Sequence, residues 1–278
     1  MASPVRRPRL PLRGGSKLQI MRTLLVGIVL ASSIAVATAQ RGGPPAPQTP
    51  RLAASIDVTG DWVPLITEDW RYRVVTPPAG DFTSIPMSPA ARKIAASWDP
   101  ARDEAAGEQC RGYGVGGVMR LPGRLRISWQ DDRTLKIETE AGSQVRTLAF
   151  AAGAAAPAPG DWQGVSRASW DRPEGPMGSG AIFGGGGFGA GRASGGSLKV
   201  VTTGMKPGYL RKNGVPYSAD AVITEYFDRF DLDGGDVLLV VATETVDPMY
   251  LSQPYWTSTH YQRQVNGTGW NPTACSAR

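Results

Sequence analysis

The sequence predicts an all-β fold, an antiparallel up-and-down β-barrel with one short helix and a long glycine-rich loop. Three observations lead to this prediction. Apolar and polar residues alternate strictly in short segments, tight turns join most of these segments, and the strands do not alternate with long helices as a parallel sheet requires. About nine strands follow one another, and a sheet of this size hides its edges by closing or folding over. A β-sandwich is the alternative architecture.

Residues 1–39 have the organisation of a secretory signal peptide with a basic leader. Arg22 provides a positive start, an apolar run covers residues 24–36, and small residues at 37–39 predict cleavage after Ala39. The apolar run is shorter than the about 20 residues that a membrane span needs. We therefore expect a periplasmic or secreted protein with no stable membrane span after cleavage.

The net charge of the chain belongs to this leader. The formal charge is +6, but residues 1–39 hold six basic residues and no acid, so 24 basic and 24 acidic residues remain. A nearly neutral mature chain gives no electrostatic reason to expect a nucleic-acid partner. The sequence also contains no Walker A or His-Glu-x-x-His motif. It predicts no cofactor and no metal site, and it leaves the oligomeric state open.

The mature chain is expected to contain one domain. Residues 40–55 are rich in proline and glycine and are predicted to be a disordered linker. A single barrel domain should cover residues 56–265, with a C-terminal tail over residues 266–278. Two loops interrupt the strands at 151–160 and 175–196, and the second is rich in glycine.

The first elements are predicted from alternation and capping. "DVTGDWVPL" and "EDWRYRVVTPP" are interpreted as a first strand region. In "MSPAARKIAASWDP", Ser88 is the expected N-cap and Pro89 the first helical residue, with the helix ending before Pro100. The segment "ARDEAAGEQC" is expected to add one helical turn.

From Gly116 onward the pattern is that of an antiparallel meander. "GVMRLPG", "RLRISWQ", "TLKIETE" and "SQVRTLAFA" are followed by "DWQGVSRASWD" and "SLKVVTTGM". "ADAVITEYFDRF", "DVLLVVATETV" and "PYWTSTHYQRQ" complete the strands. Arg126 and Glu138 are expected to pair across two of them, which contributes a few tenths of a kcal/mol. "DLDGGD" (231–236) is interpreted as an acidic hairpin turn.

Three stretches carry a resemblance to a known group. "GDWVPLITEDWRYRVVTPPAGDF", "MRLPGRLRISWQDDRTLKIETEAGSQVRTLAF" and "PGYLRKNGVPYS" resemble a family of uncharacterised secreted bacterial proteins. The resemblance covers most of residues 56–265 and implies a lipocalin-like or calycin-like barrel, without an activity that can be carried over. The spacing of Gly60 and Trp62 is similar to the lipocalin Gly-x-Trp signature, which supports the architecture alone.

The two cysteines, Cys110 and Cys275, are expected to form a disulfide that holds the C-terminal tail. Two unpaired thiols are the alternative. The chain has one histidine, His260, so neither thiol has the histidine partners that catalysis or zinc binding would require from this sequence.

"PGYLRKNGVPYS" (207–218) is predicted to be a short hairpin at the barrel mouth. Asn213-Gly214 favours a type I′ turn, in which both central residues have positive φ. Tyr209, Arg211 and Tyr217 would then lie at the mouth rather than in the core.

Glu225 is the most informative carboxylate, because it alternates with the apolar residues Ile223 and Phe227. A buried acid in this position needs a cationic partner, and Arg71, Arg73, Arg120, Arg146 and Arg211 are the candidates. Three interpretations stay open: a ligand site inside the barrel, a structural ion pair, and an outward-facing glutamate. His260 is either a general base or ligand contact, or an ordinary strand histidine.

These observations give a set of candidate ligand-binding residues that combine aromatic and charged side chains. The set comprises Trp70, Arg71, Arg73, Arg120, Tyr209, Arg211, Tyr217, Glu225, Tyr226 and His260. The strand aromatics either line an apolar pocket or form the ordinary barrel core.

The function predicted from these features is a secreted or periplasmic binding protein for a small, mostly apolar ligand. One alternative is a lipocalin-like enzyme with hydratase or isomerase chemistry, which would use Glu225 with Tyr226 or Tyr209. The other is an envelope interaction protein that uses the glycine-rich loop and the proline-rich linker.

Overall fold

The computed structural model describes residues 48–150, 161–171 and 196–278, and these form a closed β-barrel with a helical cap. The barrel prediction is confirmed. The strands are β1 (Gly60–Leu65), β2 (Leu125–Trp129), β3 (Thr134–Thr139), β4 (Val145–Ala149), β5 (Val165–Asp171), β6 (Ser197–Thr203), β7 (Gly208–Arg211), β8 (Val215–Tyr217), β9 (Val222–Asp231), β10 (Val237–Val246) and β11 (Tyr255–Gln264). All except β7 and β8 belong to the barrel, whose strand order is β1-β11-β10-β9-β6-β5-β4-β3-β2.

The barrel closes because β1 pairs with β2 on one edge and with β11 on the other. The neighbouring strands run antiparallel, with one exception. β4 and β5 are parallel and pair only through Leu148 with Ser166 and Ala149 with Arg167. The chain therefore forms an up-and-down barrel with a single short parallel joint among the described strands.

The barrel interior is filled by side chains. The alternating apolar positions that the sequence showed on β2 and β3 point inward, and Leu125, Ile127, Leu135 and Ile137 are at most 2% exposed. Trp62 is fully buried, and its indole N–H donates to the carbonyl oxygen of Val58 at 3.0 Å. Each such side chain contributes about 1.5–3 kcal/mol through removal from water. The interior is thus a packed core at these positions.

Four α-helices are described: α1 (Trp70–Arg73), α2 (Pro89–Ala96), α3 (Pro100–Ala105) and α4 (Val115–Val118). The predicted start of α2 is confirmed, since the Ser88 hydroxyl accepts from the N–H of Ala91 at 3.2 Å and Pro89 is the first helical residue. The further helical turn predicted after it is α3. None of the helices in the described ranges is long and apolar enough to cross a membrane.

Two predicted strand segments are wrong. "EDWRYRVVTPP" forms a turn at Asp69, where φ is +51°, and then α1. β1 pairs with β11 as far as Leu65, where the strand ends, and among the described residues the segment that follows pairs with no barrel strand. "GVMRLPG" forms α4 and a turn, because Gly117 packs where a Cβ atom would come within 2.8 Å of two backbone carbonyl oxygens.

The β7–β8 hairpin exists as predicted, but its turn type and its position differ. The loop has three residues, the N–H of Gly214 donates to the carbonyl of Arg211 at 3.2 Å, and Gly214 rather than Asn213 has positive φ. This is the geometry of a three-residue hairpin loop rather than of a type I′ turn. All residues of both strands are buried, so the hairpin is not an exposed lip.

The buried hairpin is the centre of a second apolar cluster, outside the barrel core. Val215 and Tyr217 pack with Ala91 and Ala95 of α2 in this cluster. The cap therefore has a hydrophobic core of its own, and this core positions the residues described below.

The disulfide between Cys110 and Cys275 is confirmed, and it fixes the tail on the cap. Hydrogen bonds hold the tail on both sides of it. The N–H of Thr273 donates to the carbonyl of Glu140 at 2.8 Å, and the N–H of Ser276 donates to the hydroxyl of Tyr113 at 3.3 Å.

The predicted pair of Arg126 with Glu138 does not form. Arg126 lies directly opposite Glu138, but its Nε donates to Asp61 at 2.8 Å while Glu138 pairs with Lys136 at 3.1 Å. The glycine-rich stretch, the linker before residue 48 and the predicted signal peptide lie outside the described residues.

Candidate functional site

The candidate site is a cleft between the cap and one end of the barrel. Water has about 30 Å³ of room in the cleft, and all the space between its walls, open solvent included, is about 460 Å³. The lining consists of Tyr72, Arg73, Val75, Thr76, Gly112, Gly117, Arg120, Leu121, Leu210, Arg211, Lys212 and Tyr255. The walls thus combine apolar and aromatic surface with four cationic side chains and contain no carboxylate.

Arg73 is the most deeply buried of these cations, with a residue exposure of 3%. Its Nε donates to the carbonyl of Arg120 at 3.0 Å, and its Nη1 forms an ion pair with Glu68. Its Nη2 has no hydrogen-bond partner among the residues that the structure describes. Burial, followed by the nearby charge of Arg120, lowers the pKa of Arg73. An unpartnered donor in a buried guanidinium leaves a desolvation cost of about 1–3 kcal/mol or more uncompensated.

Arg120 is held by backbone and carboxylate groups. Its Nη1 donates to the carbonyl of Ser258 at 2.5 Å, and its Nη2 forms an ion pair with Asp69 at 2.6 Å. Glu68 lies 3.5 Å from Nη1, so this carboxylate is shared by Arg73 and Arg120. Glu68 and Asp69 approach the two arginines without contributing to the lining of the cleft.

Arg211 has a different environment, because its hydrogen bonds go to carbonyl oxygens. Nη1 and Nη2 each donate to the carbonyl of Thr83 at 3.1 Å. The guanidinium stacks on the ring of Tyr72 at 4.3 Å from the ring centroid. Within the described ranges, Arg211 forms no ion pair with a carboxylate. A charged guanidinium bound only to neutral groups keeps its positive charge uncompensated.

Lys212 is the fourth cation of the cleft lining, and it also contacts the C-terminal tail. Its Nζ donates to the hydroxyl of Tyr113 at 3.0 Å and to the carbonyl oxygen of Arg278. A smaller pocket on the other side of Lys212 contains Asp103 and Glu108, and both of these pair with Arg111. The cleft side of Lys212 therefore has no neutralising carboxylate among the lining residues.

A chain of polar side chains runs along the outer face of β11 next to Arg120. The Ser258 hydroxyl lies 2.9 Å from Nε2 of His260, and Nδ1 of His260 lies 3.3 Å from Oε2 of Glu68. The Thr67 hydroxyl is 3.2 Å from the same Nδ1. His260 is therefore oriented through both ring nitrogens, and it is joined through Glu68 to the arginines of the cleft.

Glu225 lies inside the barrel, where it forms an ion pair with Arg146. The distance from Nη2 of Arg146 to Oε2 of Glu225 is 2.5 Å, and that from Nη1 to Oε1 is 3.1 Å. The two side chains are 1% and 0% exposed. The hydroxyls of Ser166 and Thr202 lie 3.5 Å from the same guanidinium. Of the three interpretations of Glu225, the structural ion pair is the one that this geometry supports.

The remaining predicted residues lie in three different places and do not form one site. Arg73, Arg120 and Arg211 line the cleft, whereas Tyr209 and Tyr217 are buried in the cap. The other three lie on the surface or near it. Trp70 is 62% exposed, Arg71 lies 5.7 Å from the Tyr72 ring, and Tyr226 is covered on one side by Lys199.

The two cap tyrosines are kept in their neutral form. Burial raises the pKa of Tyr209, and the hydrogen bond from its hydroxyl to Asp103 at 2.8 Å adds to this effect. Burial also raises the pKa of Tyr217. A tyrosine whose pKa is raised is a weaker acid, and its phenolate form is scarcely populated near neutral pH, which weighs against the acid–base role considered for Tyr209.

The candidate set from the sequence did not include several residues of this region. Tyr72, Lys212 and Tyr255 line the cleft, and Glu68 and Ser258 form the adjoining polar chain. The available signal was the density of aromatic and basic residues in "WRYR" and "GYLRK". The two segments are far apart in sequence, so their proximity could not be predicted from either one.

No protein-family model, curated protein or solved structure matches the chain. The resemblance to secreted bacterial proteins and to lipocalins therefore stays a prediction. The functional argument depends on the geometry of the cleft and its surroundings.

Proposed function

We propose that the protein is a small-ligand-binding module whose ligand enters the cleft at the capped end of the barrel. The observation that carries this proposal is the cleft itself, whose lining combines aromatic, aliphatic and cationic side chains around a concave space. Small-molecule sites are typically concave, mostly apolar and provided with a few polar groups that orient the ligand. The sequence had suggested the barrel interior as the ligand site.

The position of the ligand follows from what already occupies the interior. Leu198, Val200, Phe227 and Tyr261 are fully buried there, and the Arg146–Glu225 pair takes the polar positions. The cleft, in contrast, is open to solvent and has aromatic walls. Binding outside the cytoplasm is part of the proposal, and the disulfide supports it because such bonds persist in oxidising compartments.

The experiment is a ligand-observed NMR screen of small aromatic and aliphatic compounds against the wild-type protein and two matched variants. Tyr72→Leu removes a ring of the cleft wall, whereas Tyr226→Leu removes a ring from the outer face of β9. We expect compounds that bind the wild-type protein to be lost or weakened at least tenfold by Tyr72→Leu and unchanged by Tyr226→Leu. A screen without binders, or binders indifferent to Tyr72→Leu, would contradict the proposal.

A second candidate function is acyl transfer at Ser258, and a specific observation favours it. Ser258, His260 and Glu68 follow one another in the order of a serine–histidine–carboxylate triad, at 2.9 and 3.3 Å. In such a triad the histidine accepts the serine proton and the carboxylate orients the histidine. This function ranks second because Ser258 lies on a regular strand and Glu68 is shared with two arginines.

Treatment with a fluorophosphonate followed by mass spectrometry tests this second function. An activated Ser258 would be labelled in the wild-type protein and in Ser252→Ala, and the label would be absent in Ser258→Ala. An unlabelled wild-type protein would eliminate the triad as a nucleophilic site.

A further inference from the structure

The cationic side chains that line the cleft, Arg73, Arg120, Arg211 and Lys212, indicate which chemical class of ligand it would bind. We infer that the ligand is an organic anion whose carboxylate accepts hydrogen bonds from Arg73 and Arg211, while its apolar part lies at the mouth of the cleft. This inference rests on the proposed function, because it names the chemical class that the same cleft would bind. It depends on three observations about charge, hydrogen bonding and size.

The first observation is the excess of positive charge. Four cationic side chains line the cleft, and the two carboxylates that contact them, Glu68 and Asp69, both do so from outside the lining. Arg73 and Arg120 are paired with these carboxylates, and Lys212 is bonded to the main-chain oxygen of Arg278, the last residue of the sequence. Arg211 is therefore the lining cation whose hydrogen bonds go only to internal carbonyl groups of the described residues. A partly desolvated site with this charge balance favours an anion, since opposite charges attract more strongly where water is excluded.

The second observation is the free hydrogen-bonding capacity of Arg73. The Nη2 group has no partner among the described residues, although each guanidinium N–H is a strong donor. The atom is covered from solvent, so a ligand oxygen reaches it only when the neighbouring side chains move apart. A carboxylate oxygen that reached it would form a charge-assisted hydrogen bond. Burial, and then the charge of Arg120, lower the pKa of Arg73, whereas Glu68 and Asp69 act in the opposite direction.

The third observation is the small size of the cleft and its mixed lining. The room for water in the cleft, about 30 Å³, holds about two water molecules, so only a small group fits inside it without displacing side chains. Tyr72, Val75 and Tyr255 provide aromatic and aliphatic surface in the same lining as the cations. A carboxylate attached to an apolar body matches both kinds of lining, whereas a fully apolar ligand would leave the cations without an anionic partner.

The test compares benzoate with its neutral analogue benzamide in ¹H–¹⁵N NMR titrations of the full chain. The reporters are the backbone amides of Gly112, Gly117 and Lys212, which line the cleft. We expect benzoate to shift these signals with an affinity at least tenfold higher than that of benzamide. The affinity for benzoate should fall as the salt concentration rises, because the attraction is electrostatic.

Two arginine variants and one control locate the interaction. Arg211→Gln removes a cation that bonds only to carbonyl groups, and we expect it to weaken benzoate binding at least tenfold. Arg73→Met should do the same, and its thermal unfolding is measured in parallel because the side chain is buried. Arg229→Gln removes a partly buried arginine of β9 that pairs with Asp231 and is not part of the cleft lining, and it should leave binding unchanged.

The outcomes separate the inference from the proposed function. If benzamide and benzoate bind equally well and Arg211→Gln has no effect, the anion inference is wrong while the cleft remains a ligand site. If neither compound shifts the cleft signals and the compound screen also finds no binder, the proposed function fails as well. If Arg229→Gln weakened benzoate binding as much as Arg211→Gln does, the effect would be a non-specific effect of charge. That result would overturn the inference.

Discussion

Two buried arginines in this protein have opposite surroundings, although both form an ion pair with a glutamate. Arg146 lies inside the barrel, where both oxygens of Glu225 accept from it and the two side chains are almost completely enclosed. Arg73 lies at the barrel end, where it shares Glu68 with Arg120 beside an open cleft, and Arg120 also pairs with Asp69. Each of the two guanidinium groups has one buried nitrogen without a partner among the described residues, Nε in Arg146 and Nη2 in Arg73. The first arrangement is one enclosed cation with one enclosed carboxylate, and the second is a network of two cations and two carboxylates at the edge of a cleft. Burial of an arginine therefore does not by itself indicate its role, whereas the network around it and the exposure of that network do.

The largest effect is expected at the interior pair. Glu225→Gln would leave Arg146 charged and uncompensated in the barrel core, and we expect the free energy of unfolding to fall by about 3–5 kcal/mol. The double variant Arg146→Met with Glu225→Leu should recover most of this loss, because well-packed apolar residues often replace a buried ion pair without cost. Chemical denaturation measures both. A loss below about 1 kcal/mol for Glu225→Gln would remove the contrast between the two arginines.

The next effect concerns the disulfide, which lies beside the cleft wall and not in the barrel. Replacing Cys110 and Cys275 by serine should lower the free energy of unfolding by about 2–4 kcal/mol, because the bond joins residues separated by 165 positions. Hydrogen exchange should increase in the cap and tail around residues 109–121 and 269–278. Equal increases across the barrel strands would show that cap and barrel are one cooperative unit, contrary to this expectation.

A smaller effect on stability, but an informative one, is expected for Glu68→Gln. Glu68 is 27% exposed, so its loss should cost about 1–2 kcal/mol, less than that of Glu225. The same substitution removes a carboxylate beside Arg73 and Arg120 and should tighten the binding of benzoate several-fold. Calorimetric titration and denaturation measure the two effects. Weaker benzoate binding by a well-folded Glu68→Gln protein would contradict the charge argument for the cleft.

The smallest effect is expected at the outer face of the barrel. Glu138 pairs with Lys136 where both side chains are about one-third exposed to solvent, so Glu138→Gln should change the free energy of unfolding by less than about 0.5 kcal/mol. This variant is the matched control for the two other glutamate substitutions. A larger change would mean that Arg126, directly opposite Glu138, depends on it despite its bond to Asp61.

The elements that the sequence predicted correctly depend on local signals. The alternation in "RLRISWQ" and "TLKIETE" predicted β2 and β3, and Ser88 with Pro89 predicted the start of α2. "EDWRYRVV" also alternates, but it forms a turn at Asp69 and the short helix α1 instead of a strand. The predicted turn type of the hairpin was also wrong. The Asn213-Gly214 pair indicates a turn, but it does not specify whether Lys212 belongs to the loop, and in the structure it does.

The candidate site was only partly predictable, since its residues are distant in sequence. Arg73 and Arg120 were identified as candidate cations, but only the packing of α1, α4 and the hairpin places them beside Arg211. The sequence pattern of β9 placed Glu225 on the inward face without deciding its partner. Arg146 was one of five candidates, and the geometry of the closed barrel selected it.

The parallel pairing of β4 and β5 follows from the odd number of strands in the barrel. Strands can alternate in direction all the way around a closed barrel only if their number is even, and this barrel has nine. At least one neighbouring pair must therefore run the same way, whatever the side chains are. The chain meets this requirement with the shortest contact in the ring, two residue pairs, and leaves the longer strands β9, β10 and β11 fully antiparallel. Any variant that gained or lost one barrel strand would have to abolish this joint or create a second one.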